Sequence, residues 1–148
     1  MWHYFNTRAR DRDAKFAALD RVQAIIEFDL QGTILDANAN FLNVLGYTLE
    51  EIRGKHHSMF VDDTAKASPD YRAFWDKLRA GHFEAGQFKR VAKGGREVWI
   101  EASYNQLLDS QGKPYRVVKF ATDITRRSTE DAERAGELDA IRRSQAVI

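Results

Sequence analysis

The sequence contains no cysteine and only two prolines among its 148 residues. Without cysteine, the chain has no disulfide, thiolate metal site, covalently attached c-type haem or cysteine nucleophile. Its 23 basic and 22 acidic residues nearly cancel, so the composition gives no general attraction to nucleic acid or to anionic lipid. No apolar run approaches the roughly 20 residues that cross a bilayer, and the first residues do not form a secretory signal. We therefore expect a cytoplasmic protein without a nucleic-acid partner and without a direct membrane span.

Enough apolar side chains are present for one folded domain, since 43% of the residues are hydrophobic and 11% are aromatic. The first helix is predicted from about Asp11 to Gln23, where Phe16 and Leu19 stand at helical spacing among alanines. This helix has too few large apolar residues to fold alone. We expect it to dock on the sheet of the domain or on a second subunit, which would give a homodimer.

The centre of the chain changes between strand-like and helix-like patterns. Alternating apolar and polar residues predict five strands, at residues 25–30, 33–37, 82–92, 97–108 and 115–124. Between the second and third strands, Asn38, Thr48 and Ser68 are predicted to cap three helices. The longest helix begins with Pro69 and ends at Gly81. This order of elements favours an α+β fold, in which an antiparallel sheet carries helices on one face.

The C-terminal segment is highly charged and has only a thin apolar seam, so we predict an exposed connector helix from about Thr125 to Ile141. Residues 140–148 match residues 18–26 at five of nine positions, with an offset of 122. The match reaches the same transition from helix to strand. We expect the chain to end where a second copy of the domain begins, as in a tandem array.

Several short segments carry a resemblance to a known family. They are Ile25-Ile26-Glu27-Phe28-Asp29, Gly32-Thr33-Ile34-Leu35-Asp36-Ala37-Asn38, Gly46-Tyr47-Thr48, Lys93-Gly94-Gly95, Trp99-Ile100 and Ala121-Thr122-Asp123-Ile124-Thr125. In this order, over about residues 23–126, they resemble a PAS domain. Two further segments, His56-His57-Ser58-Met59-Phe60 and Tyr71-Arg72-x-Phe74-Trp75, are similar to the PAS domains of bacterial methyl-accepting chemotaxis proteins and aerotaxis-type receptors.

The resemblance implies a PAS fold, in which a five-stranded antiparallel sheet has short helices on one face and flanking helices at both termini. Residues 1–24 would form an N-terminal helical cap and residues 25–126 the PAS sensor domain. Residues 127–148 would form the connector helix and the start of a second PAS repeat.

The resemblance also implies a function, that of a cytoplasmic sensory module in a chemotaxis signal-transduction protein. The cavity would sense a small ligand or a redox or oxygen state. Asp123 and Thr125 would relay the change to the C-terminal helix, and a downstream signalling domain would follow in the parent chain. The alternative is a cofactor-free PAS module for dimerisation or interaction, with its cavity packed shut.

The side chains that the resemblance places near a cofactor are His56, His57, Trp75, Arg90, Asn43 and Asn105. Haem b is the leading candidate, with His57 as its iron ligand, although adjacent histidines in a loop can instead brace that loop. FAD is less favoured, because Arg90 stands where flavin-binding aerotaxis-type relatives carry an asparagine. Trp75 would line the flavin pocket in such relatives, and a domain without any cofactor also remains open.

Four of these residues keep a second interpretation. Arg90 either meets a carboxylate in the cavity or lies on a solvated strand edge. Trp75 is either a pocket residue or simply core, and Asn43 and Asn105 either contact a ligand or bond to nearby backbone. The sequence shows no metal-spaced carboxylates, no phosphate loop and no serine–histidine arrangement. We therefore expect neither a metal site nor an enzyme.

Overall fold

The protein folds around one five-stranded sheet, and its computed structural model describes residues 2–146, with side chains over residues 7–137. The five strands are β1 (Ala24–Phe28), β2 (Ile34–Ala37), β3 (Glu84–Val91), β4 (Glu97–Leu108) and β5 (Pro114–Asp123). Their order in the sheet is β2-β1-β5-β4-β3, and each neighbouring pair is antiparallel. The predicted α+β class and the five-stranded antiparallel sheet are thereby confirmed.

Six α-helices accompany the sheet within the described residues. They are α1 (Trp2–Val22), α2 (Ala39–Leu45), α3 (Leu49–Ile52), α4 (Asp63–Lys66), α5 (Pro69–Arg79) and α6 (Thr125–Ala146). Helix α1 begins at Trp2 rather than at about Asp11, because residues 2–10 contain no glycine or proline that would interrupt it. Helix α6 extends past Ile141, and the strand predicted to begin the second repeat at residues 147–148 lies outside the described residues.

The predicted caps fix where the short helices begin. The Asn38 side chain accepts a hydrogen bond from the amide of Phe41, and Thr48 and Glu51 form a reciprocal capping box. Ser68 caps α5, whose first residue is Pro69. These caps satisfy amides that would otherwise lack partners at the helix starts.

The inner face of the sheet and the helices enclose a single core. Its fully buried members include Phe28, Phe41, Ile52 and Leu78, and the imidazole of His57 lies among them. The core therefore holds a polar ring where an apolar side chain would be expected.

Helix α1 is attached to the domain mainly through its C-terminal end. The side-chain amides of Asn38 and Asn40 donate hydrogen bonds to the carbonyls of Asp20 and Gln23. Phe16, in contrast, is 52% exposed. Docking of the helix on the sheet or on a second subunit therefore stays a prediction. Among the described residues, no helix combines the length and apolarity that crossing a membrane would require.

Candidate functional site

A short loop beside β2 decides which way the two adjacent histidines point. The backbone of Ile34 bonds to Lys55, and the amide of His57 donates to the carbonyl of Gly32 at 2.8 Å. Gly32 has a φ of +87°, and a Cβ atom there would stand 2.6 Å from Nε2 of His56. Only glycine accommodates both constraints. The 3₁₀ turn that follows (His57–Phe60) then carries His57 inward, while His56 stays exposed.

His56 braces this loop with both of its ring nitrogens. Its Nδ1 accepts a hydrogen bond from the amide of Ser58 at 3.0 Å. Because Nδ1 is an acceptor, Nε2 carries the proton and donates it to the carbonyl of Gln31 at 2.8 Å. The geometry matches the loop-bracing interpretation of His56, and it leaves neither nitrogen directed at the interior.

His57 connects two tyrosine hydroxyls inside the core. Its Nδ1 lies 2.8 Å from the hydroxyl of Tyr71, and its Nε2 lies 3.0 Å from the hydroxyl of Tyr104. The Tyr104 hydroxyl also accepts a hydrogen bond from Nη2 of Arg90 at 3.0 Å, and the Tyr71 hydroxyl accepts one from Nε1 of Trp75 at 3.2 Å.

The hydrogen-bond partners of Tyr104 determine the tautomer of His57. If Nε2 carried the proton, the buried Tyr104 hydroxyl would accept two hydrogen bonds and leave its own proton without an acceptor. With the proton on Nδ1, Tyr104 donates to Nε2 of His57, and His57 donates to Tyr71. The order of donation is then Arg90 to Tyr104 to His57 to Tyr71. This chain of bonds runs from the core to the half-buried ring of Tyr71.

The surroundings keep His57 neutral. Burial holds the pKa of His57 well below its ordinary value of 6.5, and the positive charges of Arg90 and Lys119 lower it further. Burial likewise raises the pKa of Tyr104, and it raises that of Tyr71 to about 12. All three groups are therefore uncharged near pH 7 and are joined as hydrogen-bond donors and acceptors.

Two basic side chains are buried beside this chain of bonds. Arg90 is 8% exposed and Lys119 is 1% exposed, so the solvated strand edge that the sequence offered for Arg90 is wrong. Strand β3 directs Arg90 inward because its residue pairs with the buried Val98, and its guanidinium lies 4.9 Å from the ring centroid of Phe88. Nζ of Lys119 lies 4.9 Å from the ring centroid of Tyr104, its partner across β4 and β5.

Neither basic group has a carboxylate partner among the described residues. Arg90 bonds to the hydroxyl of Tyr104 and to the carbonyl of Lys89, and its Nε atom is buried without a hydrogen-bond partner. Burial, followed by the charge of Arg90, holds the pKa of Lys119 well below its ordinary value of 10.5. We name His57, Tyr71, Arg90, Tyr104 and Lys119 the basic cluster.

The other three predicted residues lie apart from this arrangement or only border it. Trp75 is buried, with its ring centroid 5.6 Å from that of Phe28. Asn43 is exposed on α2, and Asn105 bonds to the backbone of Ser103 and Val118 on the sheet. The structure thus joins His57 and Arg90 through the hydroxyl of Tyr104, and it brings Trp75 in through the hydroxyl of Tyr71.

A groove of about 640 Å³ opens outside the cluster at Tyr71 and Trp75. Its rim carries His56, Lys66 and Arg72. Solvent in this groove therefore meets the outer end of the chain of hydrogen bonds.

The residues do not fit haem or FAD in this arrangement. Haem would need a free nitrogen of His57, whereas both nitrogens are bonded to tyrosines. The imidazole also contacts the rings of Phe28 and Trp75, with centroids 5.3 and 5.4 Å away, which leaves no slot for a porphyrin. Trp75 packs in the core, and Arg90 occupies the interior where flavin-binding relatives carry an amide. Within the described residues, no group of three or more metal-ligating side chains is found either.

Asp123 and Thr125 connect the end of β5 to the start of α6. The Asp123 carboxylate accepts hydrogen bonds from the amide and the hydroxyl of Thr125, at 2.9 and 2.6 Å. The Thr125 hydroxyl oxygen in turn accepts a bond from the amide of Trp99 at 3.0 Å. Arg127 adds an ion pair to Glu101 at 3.1 Å, so the first turn of α6 is bound to β4 at two points.

Sequence reasoning missed three members of the cluster, Tyr71, Tyr104 and Lys119. In sequence both tyrosines fit apolar faces, Tyr71 in a helical pattern and Tyr104 in an alternating one, and their rings do pack in the core. The signal for Lys119 lies in the alternation of β5, because Val117 and Ala121 face inward and Lys119 stands between them at the same parity.

Residues 20–129 of the chain match the family described as the PAS fold. The biofilm dispersion protein BdlA of Pseudomonas aeruginosa is 47% identical over 132 residues, which are 89% of this chain and 32% of that protein. The aerotaxis receptor of Escherichia coli is 37% identical over 76 residues, which are 51% of this chain and 15% of the receptor. The chain thus spans a third or less of the length of these two relatives.

Solved structures give the same fold. A PAS domain of a protein from Colwellia psychrerythraea superposes with a TM-score of 0.66 at 23% sequence identity. The likeness covers 77% of this chain and 97% of that domain.

Proposed function

The chain belongs to the PAS family, and from that membership we propose that it is the cytoplasmic sensory module of a chemotaxis signal-transduction protein. It is a PAS sensory domain related to an aerotaxis receptor and to BdlA. In the proposed mechanism, a small ligand changes the packing of the basic cluster, and α6 receives the change. The proposed stimulus is a small ligand rather than a redox or oxygen state, because the residues do not fit haem or flavin.

The observation that carries the proposal is that β4 contacts both the cluster and the first turn of α6. Tyr104 of β4 bonds to His57 and Arg90 in the interior. On the same strand, Trp99 and Glu101 bond to Thr125 and Arg127 of α6. A shift of β4 along its own axis therefore moves both ends together.

Strand β5 couples to the same movement. Tyr104 pairs with Lys119, and Ile100 pairs with Asp123, in one continuous register. A ligand that binds one packing of Tyr104 and Lys119 better than another shifts the population toward the first packing. Asp123 and Thr125 then transmit the new register to α6.

The parent protein supplies the output in this proposal. The names of the two relatives refer to biofilm dispersion and to aerotaxis, which favours a role in the control of motility for this chain. A downstream signalling domain would receive α6. A homodimer through α1 and the outer face of the sheet would bury the exposed ring of Phe16.

The relay is tested by amide hydrogen exchange in α6. We expect Tyr104→Phe, which removes the hydroxyl shared by His57 and Arg90, to change exchange at the Ser128 amide at least threefold. Tyr115→Phe is the matched control, because Tyr115 is an exposed tyrosine on β5. In an Asp123→Ala background the effect of Tyr104→Phe should become smaller, since the bonds from Asp123 to Thr125 are lost while Trp99 and Glu101 still connect β4 to α6. Unchanged exchange in folded Tyr104→Phe protein would refute the relay.

A second function, the cofactor-free interaction module, is favoured by the filled interior around His57. Its imidazole packs against Phe28, Phe60 and Tyr104 with centroid distances of 5.3 to 6.3 Å. The native mass of freshly purified protein and its response to small ligands separate the two functions. A mass equal to the bare chain or its dimer, with no change on ligand screening, would favour the interaction module.

A further inference from the structure

We propose that the basic cluster is the binding site for a small carboxylate anion, held between the guanidinium of Arg90 and the ammonium of Lys119. The inference rests on the proposed function, because it names the chemical class of the stimulus at the same site. It is carried by the burial of two basic side chains that have no acidic partner among the described residues.

Arg90 is the clearest sign of a missing partner. An arginine side chain does not lose its proton in a protein, so its charge must be balanced where it is buried. The contacts that it makes are the Lys89 carbonyl, the Tyr104 hydroxyl and the face of Phe88. None of these carries a negative charge, and the buried Nε–H has no acceptor at all in the described part of the chain.

Lys119 provides a second cation on the other side of the same tyrosine. Its Nζ lies 4.9 Å from the ring centroid of Tyr104 and 5.9 Å from that of Phe41, and it makes no ion pair with a described residue. Its position opposite Tyr104 is fixed by the pairing of β4 and β5. Arg90 and Lys119 thus approach one phenol from two different strands.

The fork of a guanidinium selects the chemistry of the ligand. Its Nε–H and Nη–H groups lie in one plane, and a carboxylate accepts from such a fork with two parallel hydrogen bonds. Side chains pack the core beside Arg90, so a ligand there must be as small as acetate and must displace part of this packing when it binds. The groove beside Tyr71 and Trp75 is lined by Lys66 and Arg72, which place positive charge on the solvent side of the cluster.

The inference is tested by NMR with acetate as the probe and acetamide as its uncharged equivalent. The Nε–H signal of Arg90 in the folded, unsubstituted protein is the direct readout. We expect acetate to shift this signal in a saturable manner and acetamide to leave it unchanged. A signal that responds equally to both compounds, or to neither, would overturn the proposal without any substitution.

Substitutions supply the specificity test. Arg90→Gln and Lys119→Met should each weaken acetate binding at least tenfold, as measured by calorimetry or by amide shifts. Lys89→Gln is the matched control, because Lys89 is the neighbouring cation and ion-pairs with Asp62 at the surface, so binding should stay within twofold. Binding that is equally strong in Lys119→Met and in the unsubstituted protein would refute the site even if Arg90→Gln failed to fold.

The outcome is separable from that of the relay. Acetate binding without a change in α6 exchange would leave the anion site standing and refute the relay. An intact response of α6 to Tyr104→Phe, in a protein that does not bind acetate, would refute only the anion site.

Discussion

Replacing Lys119 with methionine should make the domain more stable. The Lys119 side chain is 1% exposed, lies on the inner face of β5 and donates no hydrogen bond to a described residue. Methionine has a similar length, fills the same space and keeps contact with the rings of Tyr104 and Phe41. The substitution therefore removes the cost of burying an amine while it preserves the packing.

The magnitude depends on which of two opposing contributions is larger. Burying a polar group without a hydrogen bond costs about 1–3 kcal/mol in proteins, and burying it charged costs several kcal/mol. When Lys119 is charged, the contacts of its ammonium with two aromatic rings stabilise the folded state by about 0.5–2 kcal/mol. The first contribution is the larger in either protonation state. We expect Lys119→Met to raise the free energy of unfolding at pH 7 by about 1–3 kcal/mol.

The pH dependence of unfolding provides a second, independent test that burial of Lys119 destabilises the folded protein. The pKa of Lys119 in the folded protein is held well below 10.5, by burial first and by Arg90 second. Between the folded pKa and 10.5, the unfolded chain holds a proton that the folded chain lacks. The free energy of unfolding therefore rises with pH in this window, by up to about 1.4 kcal/mol per pH unit. The free energy of unfolding of the Lys119→Met protein should not show this rise.

Urea unfolding followed by tryptophan fluorescence, at several pH values from neutral to alkaline, measures both effects. Lys113→Met is the control, because Lys113 is an exposed lysine in the turn before β5 and should change stability by less than about 0.5 kcal/mol. A Lys119→Met protein that is less stable at pH 7, or that keeps the alkaline rise of the unsubstituted protein, would refute the reasoning.

Two further substitutions test the loop and the polar core. His57→Phe should destabilise the domain by about 1–3 kcal/mol in urea unfolding, because the Tyr104 and Tyr71 hydroxyls lose their partner. The substitution should also abolish the fall in stability below about pH 6.5, because there His57 binds a proton in the unfolded chain but not in the folded one. A fall that persists in the variant would contradict this. Gly32→Ala should lower the melting temperature more than Gly54→Ala. Both glycines have a positive φ, but only at Gly32 would the added Cβ collide with His56. Equal losses in the two variants would exclude that collision as the cause.

Local patterns were sufficient for most of the architecture. The strict alternation of Val98, Ile100, Ala102 and Tyr104 located β4 at the observed residues 97–108. The caps at Asn38, Thr48 and Ser68 located three helix starts, because capping is a contact between residues close in sequence. Both signals depend on neighbours along the chain and need no knowledge of the fold.

The site was only partly predictable, because its five members come from five separate elements. His57 and Arg90 were identified as candidates, yet the hydroxyl that joins them belongs to Tyr104, 14 residues from Arg90 and 47 from His57. Lys119 stands at an inward position of β5, but a lysine is so rarely buried that composition argues for the surface. The pairing of β4 with β5 places Lys119 in the interior, opposite Tyr104, and that pairing is a property of the whole sheet.

Lys119 affects both the stability of the domain and the proposed binding of an anion. If its only role were packing, methionine would serve the core better, and the same holds for an apolar residue in place of Arg90. The two cations weaken the domain only while no anion is present, since a bound carboxylate would balance their charge and raise stability in proportion to its occupancy. The same anion would favour the packing of Tyr104 that it binds best, on the strand that also holds Thr125 and Arg127 of α6. Because the two unpaired cations destabilise the free domain, a very small anion that pairs with them can strongly change the populations of the two packings of Tyr104.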